Sequence, residues 1–255
     1  MLIIQETGSI NGKFREIFKK TLSSNHTLYE CFNSYELNST DVDFILFHAY
    51  EDEISTITSI KSLVLHMKPI LIVMDGLLFT KATVDNMLQL MEEVKTPIFL
   101  IHPELLNLNF TKSEYLSINH VSEHRDSLTL GLLNVLSILL SYKSSVVTKI
   151  SMNGNSSKDY IDSYVFCEFF NGHKVSIHAT TFTSGSADIT ELMNEDNFKL
   201  LIAKELVFTN DIIRSIAMGY EMSNSTYKRE YGMLGFDFYL EACKIVHQWQ
   251  ERFVK

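Results

Sequence analysis

The sequence predicts an α/β protein: a Rossmann-like parallel sheet followed by an α+β region with an open antiparallel sheet. Three observations lead there. The N-terminal part contains short runs that are apolar at consecutive positions, helix-length segments separate those runs, and beyond residue 110 the runs alternate and meet at an Asn-Gly turn.

Leu2–Ile4, Thr27–Cys31, Phe44–Phe47, Ile70–Met74 and Pro97–Ile101 are the apolar runs. Continuous apolarity means that both faces of a strand are covered, as in a parallel sheet. Between them, Gly12–Leu22, Ser55–His66 and Thr80–Val94 are helix-length, the last with Val84, Met87, Leu88 and Met91 at helical spacing. Strand, helix and strand in that order give βα units with right-handed crossovers. A helix from Ser127 to Tyr142 follows, then Val146–Met152, Tyr160–Phe170 and Lys174–Thr183 as strands. Asn171-Gly172 predicts a hairpin in which both turn residues reach positive φ. A further strand-like pair, Lys199–Ala203 and Leu206–Phe208, precedes an amphipathic helix from Met233 to Phe253. The seam is expected at Leu105–Thr111, which divides the 255 residues into a nucleotide-binding-type domain, 1–111, and an α+β domain, 112–255.

Lys+Arg is 22 against Asp+Glu 31, a formal charge of -9, so the basic footprint that nucleic acid or an anionic membrane surface requires is missing. Cys31, Cys167 and Cys243 form no CxxC or Cys/His cluster and read as thiols of a reducing cytoplasm. MLIIQETGS turns polar early and has neither a basic lead nor a small-residue cleavage site, the pattern of a cytoplasmic chain without a signal peptide. The apolar stretch Leu128–Leu140 is interrupted by Thr129, Asn134 and Ser137 and is shorter than the roughly 20 residues of a membrane span, so a buried helix is expected.

In a doubly wound sheet the chemistry sits at the carboxyl ends of the strands. After the first strand comes Glu6-Thr7-Gly8-Ser9-Ile10-Asn11-Gly12. A dinucleotide fingerprint needs three glycines there, for the turn, for the pyrophosphate and for helix packing. Only Gly8 matches, with Glu6 and Asn11 at the first and third positions. Glu6 brings a carboxylate toward the phosphates. If a cofactor binds, Gly8, Ser9, Ile10 and Asn33 are the residues expected to touch it.

The order of strand, turn and helix, then Val42-Asp43-Phe44-Ile45-Leu46-Phe47, then Lys68 through Met74-Asp75-Gly76 to Thr80, resembles the Gfo/Idh/MocA oxidoreductases. The segment Lys81–Val94, the run Pro97-Ile98-Phe99-Leu100-Ile101 and the loop ending Asn107-Leu108-Asn109-Phe110 continue the resemblance, over a chain shorter than is usual for the family. It implies a Rossmann domain followed by an open antiparallel sheet, NAD(P) as cofactor, and a homo-oligomer formed through the C-terminal sheet. Three signatures depart from it. Where the family carries Glu-Lys-Pro, this sequence has Met74-Asp75-Gly76, a carboxylate in place of the cation that polarises the reacting oxygen. Where an Asp-x-Gly-x-His-x-x-Asp stretch supplies a proton-transfer histidine, only Gly131 remains. The ribose-binding acid is missing from Cys31-Phe32-Asn33-Ser34.

His120 and His124 flank Glu123, but the HExxH order is absent and Ser117–His120 reads as strand, so no metal site is expected. His173 and His178 read as surface or packed residues of a hairpin. Ser184-Gly185-Ser186 does not satisfy GxSxG. His48, Asp75 and His102 follow strand ends and are the cleft candidates should activity remain. The aromatic tail, including Tyr227, Tyr231, Phe236, Phe238, Tyr239 and Trp249, reads as core or interface. The expected function is therefore a non-catalytic binding or partner subunit on an oxidoreductase fold, with a protein partner to be sought. Two alternatives stay open: an active NAD(P)-dependent oxidoreductase on a small carbonyl, imine or sugar, and an unrelated α/β domain with the same element order.

Overall fold

The computed structural model describes residues 2–5, 20, 28–30, 44–49, 52–74, 77–101, 115–122, 124–143, 147–181, 189–194, 199–202 and 233–254. The chain divides into two compact units, Met1–Asn107 with Leu206–Leu240, and Leu108–Glu205 with Glu241–Lys255. Both are discontinuous, unlike the consecutive 1–111 and 112–255 expected from the sequence. The reason is a short strand late in the chain that returns to the first sheet.

In the first unit the strands are β1 (Leu2–Gln5), β2 (Leu28–Glu30), β3 (Phe44–His48), β4 (Ile70–Val73), β5 (Ile98–Ile101) and the late strand β12 (Met233–Gly235). They form one six-stranded sheet in the order β12-β5-β4-β3-β1-β2. Pairings from β2 through β5 are parallel, and β12 adds antiparallel to β5 with Leu234 opposite Leu100. Ile45, Leu46 and Phe47 of β3, and all of β4 and β5, are buried, which is why these runs are apolar at consecutive positions. Helix α1 (Glu53–Val64) follows β3 and α2 (Lys81–Glu93) follows β4. Asp52 caps α1 by accepting from the Ser55 amide at 2.8 Å, and the bonds with Ser55 hold its carboxyl below the usual range. Thr80 caps α2, which buries Val84 and Met87. The helix expected over Gly12–Leu22 lies outside the described residues apart from Lys20, which is helical.

The second unit contains β6 (Tyr115–Ser122), α3 (Arg125–Lys143), β7 (Val147–Ser156), β8 (Ile161–Phe169), β9 (Lys174–Thr181), β10 (Ile189–Asn194) and β11 (Lys199–Ile202). Its sheet runs β11-β10-β6-β9-β8-β7. The sequence predicts an antiparallel sheet, and four of the pairings are; β6 and β9 are parallel, because β6 enters the sheet before the meander and lies beside its third strand. Burial alternates along β8, with Ile161, Ser163, Val165, Cys167 and Phe169 buried. Those residues and Val175, Ile177 and Ala179 of β9 make the inner face, and α3, whose Leu132, Leu133, Leu136 and Leu139 are all buried, packs against β6 and β9. Two buried hydroxyls of α3 are paired along the helix: Thr129 Oγ1 donates to Arg125 O at 2.9 Å and Ser137 Oγ to Leu133 O at 2.7 Å. None of the described helices is long and apolar enough to cross a membrane.

Between β8 and β9 the turn departs from the expected form. Gly172 has φ 83°, while Asn171 does not reach positive φ. Gly172 N donates to Phe169 O and Phe169 N to His173 O, both at 2.9 Å, which makes a three-residue loop closed by a left-handed glycine. Asn171 uses its side chain instead, accepting from the His173 amide at 3.2 Å.

Helix α4 (Phe236–Phe253) begins after β12, so the helix expected from Met233 starts later: pairing with β5 holds Met233–Gly235 extended. Phe236 and Tyr239 belong to the first unit, whereas Ala242, Cys243, Val246 and Trp249 are buried in the second. The strand expected at Leu206–Phe208 lies outside the described residues.

Candidate functional site

Order and direction of the strands locate the site. β1 lies between β2 and β3, so the chain winds one way from β1 to β2 and the other way from β3 onward. Ligands of doubly wound sheets sit in the crevice that this reversal opens at the carboxyl ends of the strands. Its floor is the end of β1, where Gln5 pairs with Phe47, and the end of β3, where His48 pairs with Val73. Ala49 extends the pairing by donating its amide to Val73 O at 2.9 Å.

The loop leaving β4 flanks this crevice and is held from two sides. Met74 is buried. Beyond it, Leu77 has no ladder partner in the irregular stretch 77–80, and the Tyr239 hydroxyl takes that place. It accepts from Leu77 N and donates to Leu77 O, each at 3.0 Å. The Tyr239 ring is 1 % exposed and packs edge-on to Phe79 and parallel to Phe236. Glu53, in the first turn of α1, accepts from both the amide (3.0 Å) and the hydroxyl (2.8 Å) of Thr80. Leu77 is thus tied to α4, and Thr80 to the helix after β3.

Tyr239→Phe keeps the ring and removes both bonds. The expected cost is about 1–3 kcal/mol, since two backbone groups lose their partner. Amide exchange at Leu77 should accelerate while β4 keeps its protection. Unchanged exchange at Leu77 would refute the strut.

Of the residues proposed from sequence, His48 is the last residue of β3 and therefore stands at the carboxyl edge, beside the crevice. Gly8, Ser9, Ile10, Asn33, Asp75 and His102, with Glu6 and Asn11, lie outside the described residues. Each follows the carboxyl end of a parallel strand in the sequence. Sequence reasoning missed Tyr239 and Glu53 as loop supports, and it met Thr80 only as the first residue of a helix-length segment.

Helix α3 carries the positions at which the resemblance would place a histidine and an aspartate. Leu133 and Leu136 follow Gly131 at the spacing of the family's histidine and aspartate, and both are buried apolar side chains. Gly131 itself receives the His120 ring, which a Cβ there would overlap. His120 is 3 % exposed and lies in β6, while His124 is exposed just before α3, so the two do not share a helical face. Among the described residues no group of three or more His, Cys, Asp or Glu side chains could hold a metal ion. Burial pushes the Cys167 thiol up to about 12, which leaves it protonated and unreactive at neutral pH.

No protein-family model and no curated protein sequence matches the chain. Solved structures do. UDP-N-acetylglucosamine 3-dehydrogenase from Acidithiobacillus ferrooxidans aligns over 99% of this chain and 96% of its own, at 10% identity and a TM-score of 0.58. Scyllo-inositol dehydrogenase from Lactobacillus casei, with bound NAD(H) and scyllo-inositol, aligns over 99% and 96% at 9% identity and a TM-score of 0.56. Biliverdin reductase from Synechocystis sp. PCC 6803, in complex with biliverdin and NADP+, aligns over 97% and 98% at 12% identity and a TM-score of 0.53. At these identities the likeness is one of fold, and this chain shares the fold of these three enzymes.

Proposed function

We propose that this chain uses the dehydrogenase fold as a binding or partner subunit and does not transfer hydride. The observation that carries this reading is the apolar face of α3, with Leu133 and Leu136 buried where the related fold's signature spaces its proton-transfer residues. A leucine cannot exchange a proton, and its burial shows a packing role at each position. Sequence adds Asp75 in place of the family's lysine and Glu6 beside the expected pyrophosphate seat.

The partner we favour is a second copy, docked through the outer face of the second sheet. By register that face carries Lys149, Lys174 and Lys199 against Asp162, Glu168 and Glu191, in a chain whose formal charge is -9. A charge-balanced face is where two such anionic chains approach with least repulsion. Tyr164 stands 47% exposed there, the kind of aromatic anchor that interfaces enrich. The buried free thiol of Cys167 suits a reducing compartment, and we place the protein in the cytoplasm.

A second reading, an active NAD(P)-dependent oxidoreductase on a small carbonyl, imine or sugar, is favoured by the reversal at β1 and β3 and by the NAD(H) and NADP+ in two of the similar structures. Titrating the protein with NADH and NADPH, following cofactor fluorescence and the thermal midpoint together, separates the two. The first reading expects no saturation up to millimolar cofactor. Saturation in the micromolar range, about 8 kcal/mol of binding, would establish a cofactor site and favour the second.

A further inference from the structure

On the outer face of the second sheet three side chains form one cluster: Asp162 and Tyr164 of β8 and His178 of β9. The register sets Tyr164 opposite His178, and the two rings stack with centroids 4.4 Å apart and planes 6° from parallel. Asp162 Oδ1 stands 2.7 Å from His178 Nε2. The imidazole is 28% exposed and the carboxylate 49%, so a protein covering this face would strip water from both.

We infer that the His178–Asp162 pair, stacked on Tyr164, makes self-association through this face proton-linked, with the dimer tighter when His178 is protonated. The inference rests on the reading that a second copy covers the sheet. Histidine is the side chain whose charge changes in the physiological pH range. Beside a neutral imidazole, Asp162 is a net charge, and covering a net charge is costly. Beside an imidazolium it is half of a hydrogen-bonded pair with no net charge, and the Tyr164 ring attracts the cation. Covering the neutral pair costs less, so association takes up protons and affinity rises as pH falls.

The surrounding positions do not cancel this effect. Asn119 of β6 lies opposite His178, Asn153 of β7 opposite Tyr164, and Asn155 of β7 and Thr180 of β9 flank Asp162; all are uncharged. Glu168 is matched by Lys174 and Lys149 farther along the strands. The register places Glu191 of β10 opposite Asn119.

Sedimentation equilibrium of the full chain at about pH 8 and about pH 6 tests the inference. The expected result is a dimer dissociation constant about ten-fold lower at the acid end, from proton uptake at two equivalent sites. His178→Gln retains an N–H toward Asp162 but does not titrate, and should remove most of that dependence. Asp162→Asn should do the same, and serves if circular dichroism shows His178→Gln to be misfolded. A monomer at every pH would overturn the reading of self-association. A dimer whose pH dependence is equal in wild type and both variants would overturn the proton linkage and leave the interface standing.

Discussion

Trp249→Ala is expected to destabilise the protein by about 4 kcal/mol, the middle of the range for removing a large buried aromatic. Trp249 is the only tryptophan, is fully buried, and lies on the face of α4 that also buries Cys243, Val246 and Phe253. Truncation leaves a cavity that the inner faces of β8 and β9 cannot collapse to fill, because both strands are held in a sheet on either side. It also breaks a relay in which Trp249 Nε1 donates to Ser163 Oγ at 2.9 Å and Ser163 Oγ donates to Ala179 O at 3.0 Å. Trp249→Phe should cost less, as it fills most of the volume. Ser163→Ala should cost about 1–3 kcal/mol, since it leaves the indole N–H buried without its acceptor. Urea denaturation followed by circular dichroism measures all three, because two of them lack the tryptophan signal. A loss below about 1.5 kcal/mol for Trp249→Ala would mean that α4 does not seat on the sheet as described.

Trp249 also marks where the sequence was informative and where it was not. Its burial follows from the amphipathic period of the last helix, and so does its place in the core. Its hydrogen bond to Ser163 does not, because periodicity gives faces and not partners across the chain. β3, β4 and β5 were legible because burial on both faces forces continuous apolar runs. β12 was not: Met233–Gly235 is extended only because it pairs with β5, a contact that no local pattern encodes. The parallel pairing of β6 with β9 was hidden for the same reason.

The hairpin shows how small the missing information can be. Asn171-Gly172 marked the turn, but a two-residue loop and the observed three-residue loop differ by one residue in register. One residue exchanges the faces of a strand. In the observed register Tyr164 faces His178 and Glu168 faces Lys174, and the Asp162 cluster exists only there. At the candidate site, strand ends could be found from sequence, so His48 was placed at the carboxyl edge. The Tyr239 hydroxyl could not be assigned to Leu77, because an aromatic in an amphipathic helix signals burial without naming what its polar end reaches.

Gly131→Ala is the second large effect, expected to cost about 2–3 kcal/mol although helix propensity alone favours alanine by about 1 kcal/mol. The physical conflict is steric. The His120 ring of β6 rests against the Gly131 backbone, and a Cβ there would occupy the space of its Nε2 and Cε1 atoms. His120 is 3 % exposed, so its ring can yield only by pushing into packed neighbours or by lifting α3 from the sheet. Glycine at this position is therefore a packing requirement of a histidine one element earlier. Gly131 thereby makes room for an imidazole coming from the sheet. A double-mutant cycle with His120→Ala tests this explanation separately from the loss of stability. If the ring is what the Cβ meets, the two substitutions together should cost less than the sum of their separate effects by about 1–3 kcal/mol. Additive costs, within about 0.5 kcal/mol, would show that Gly131 is required for some reason other than His120.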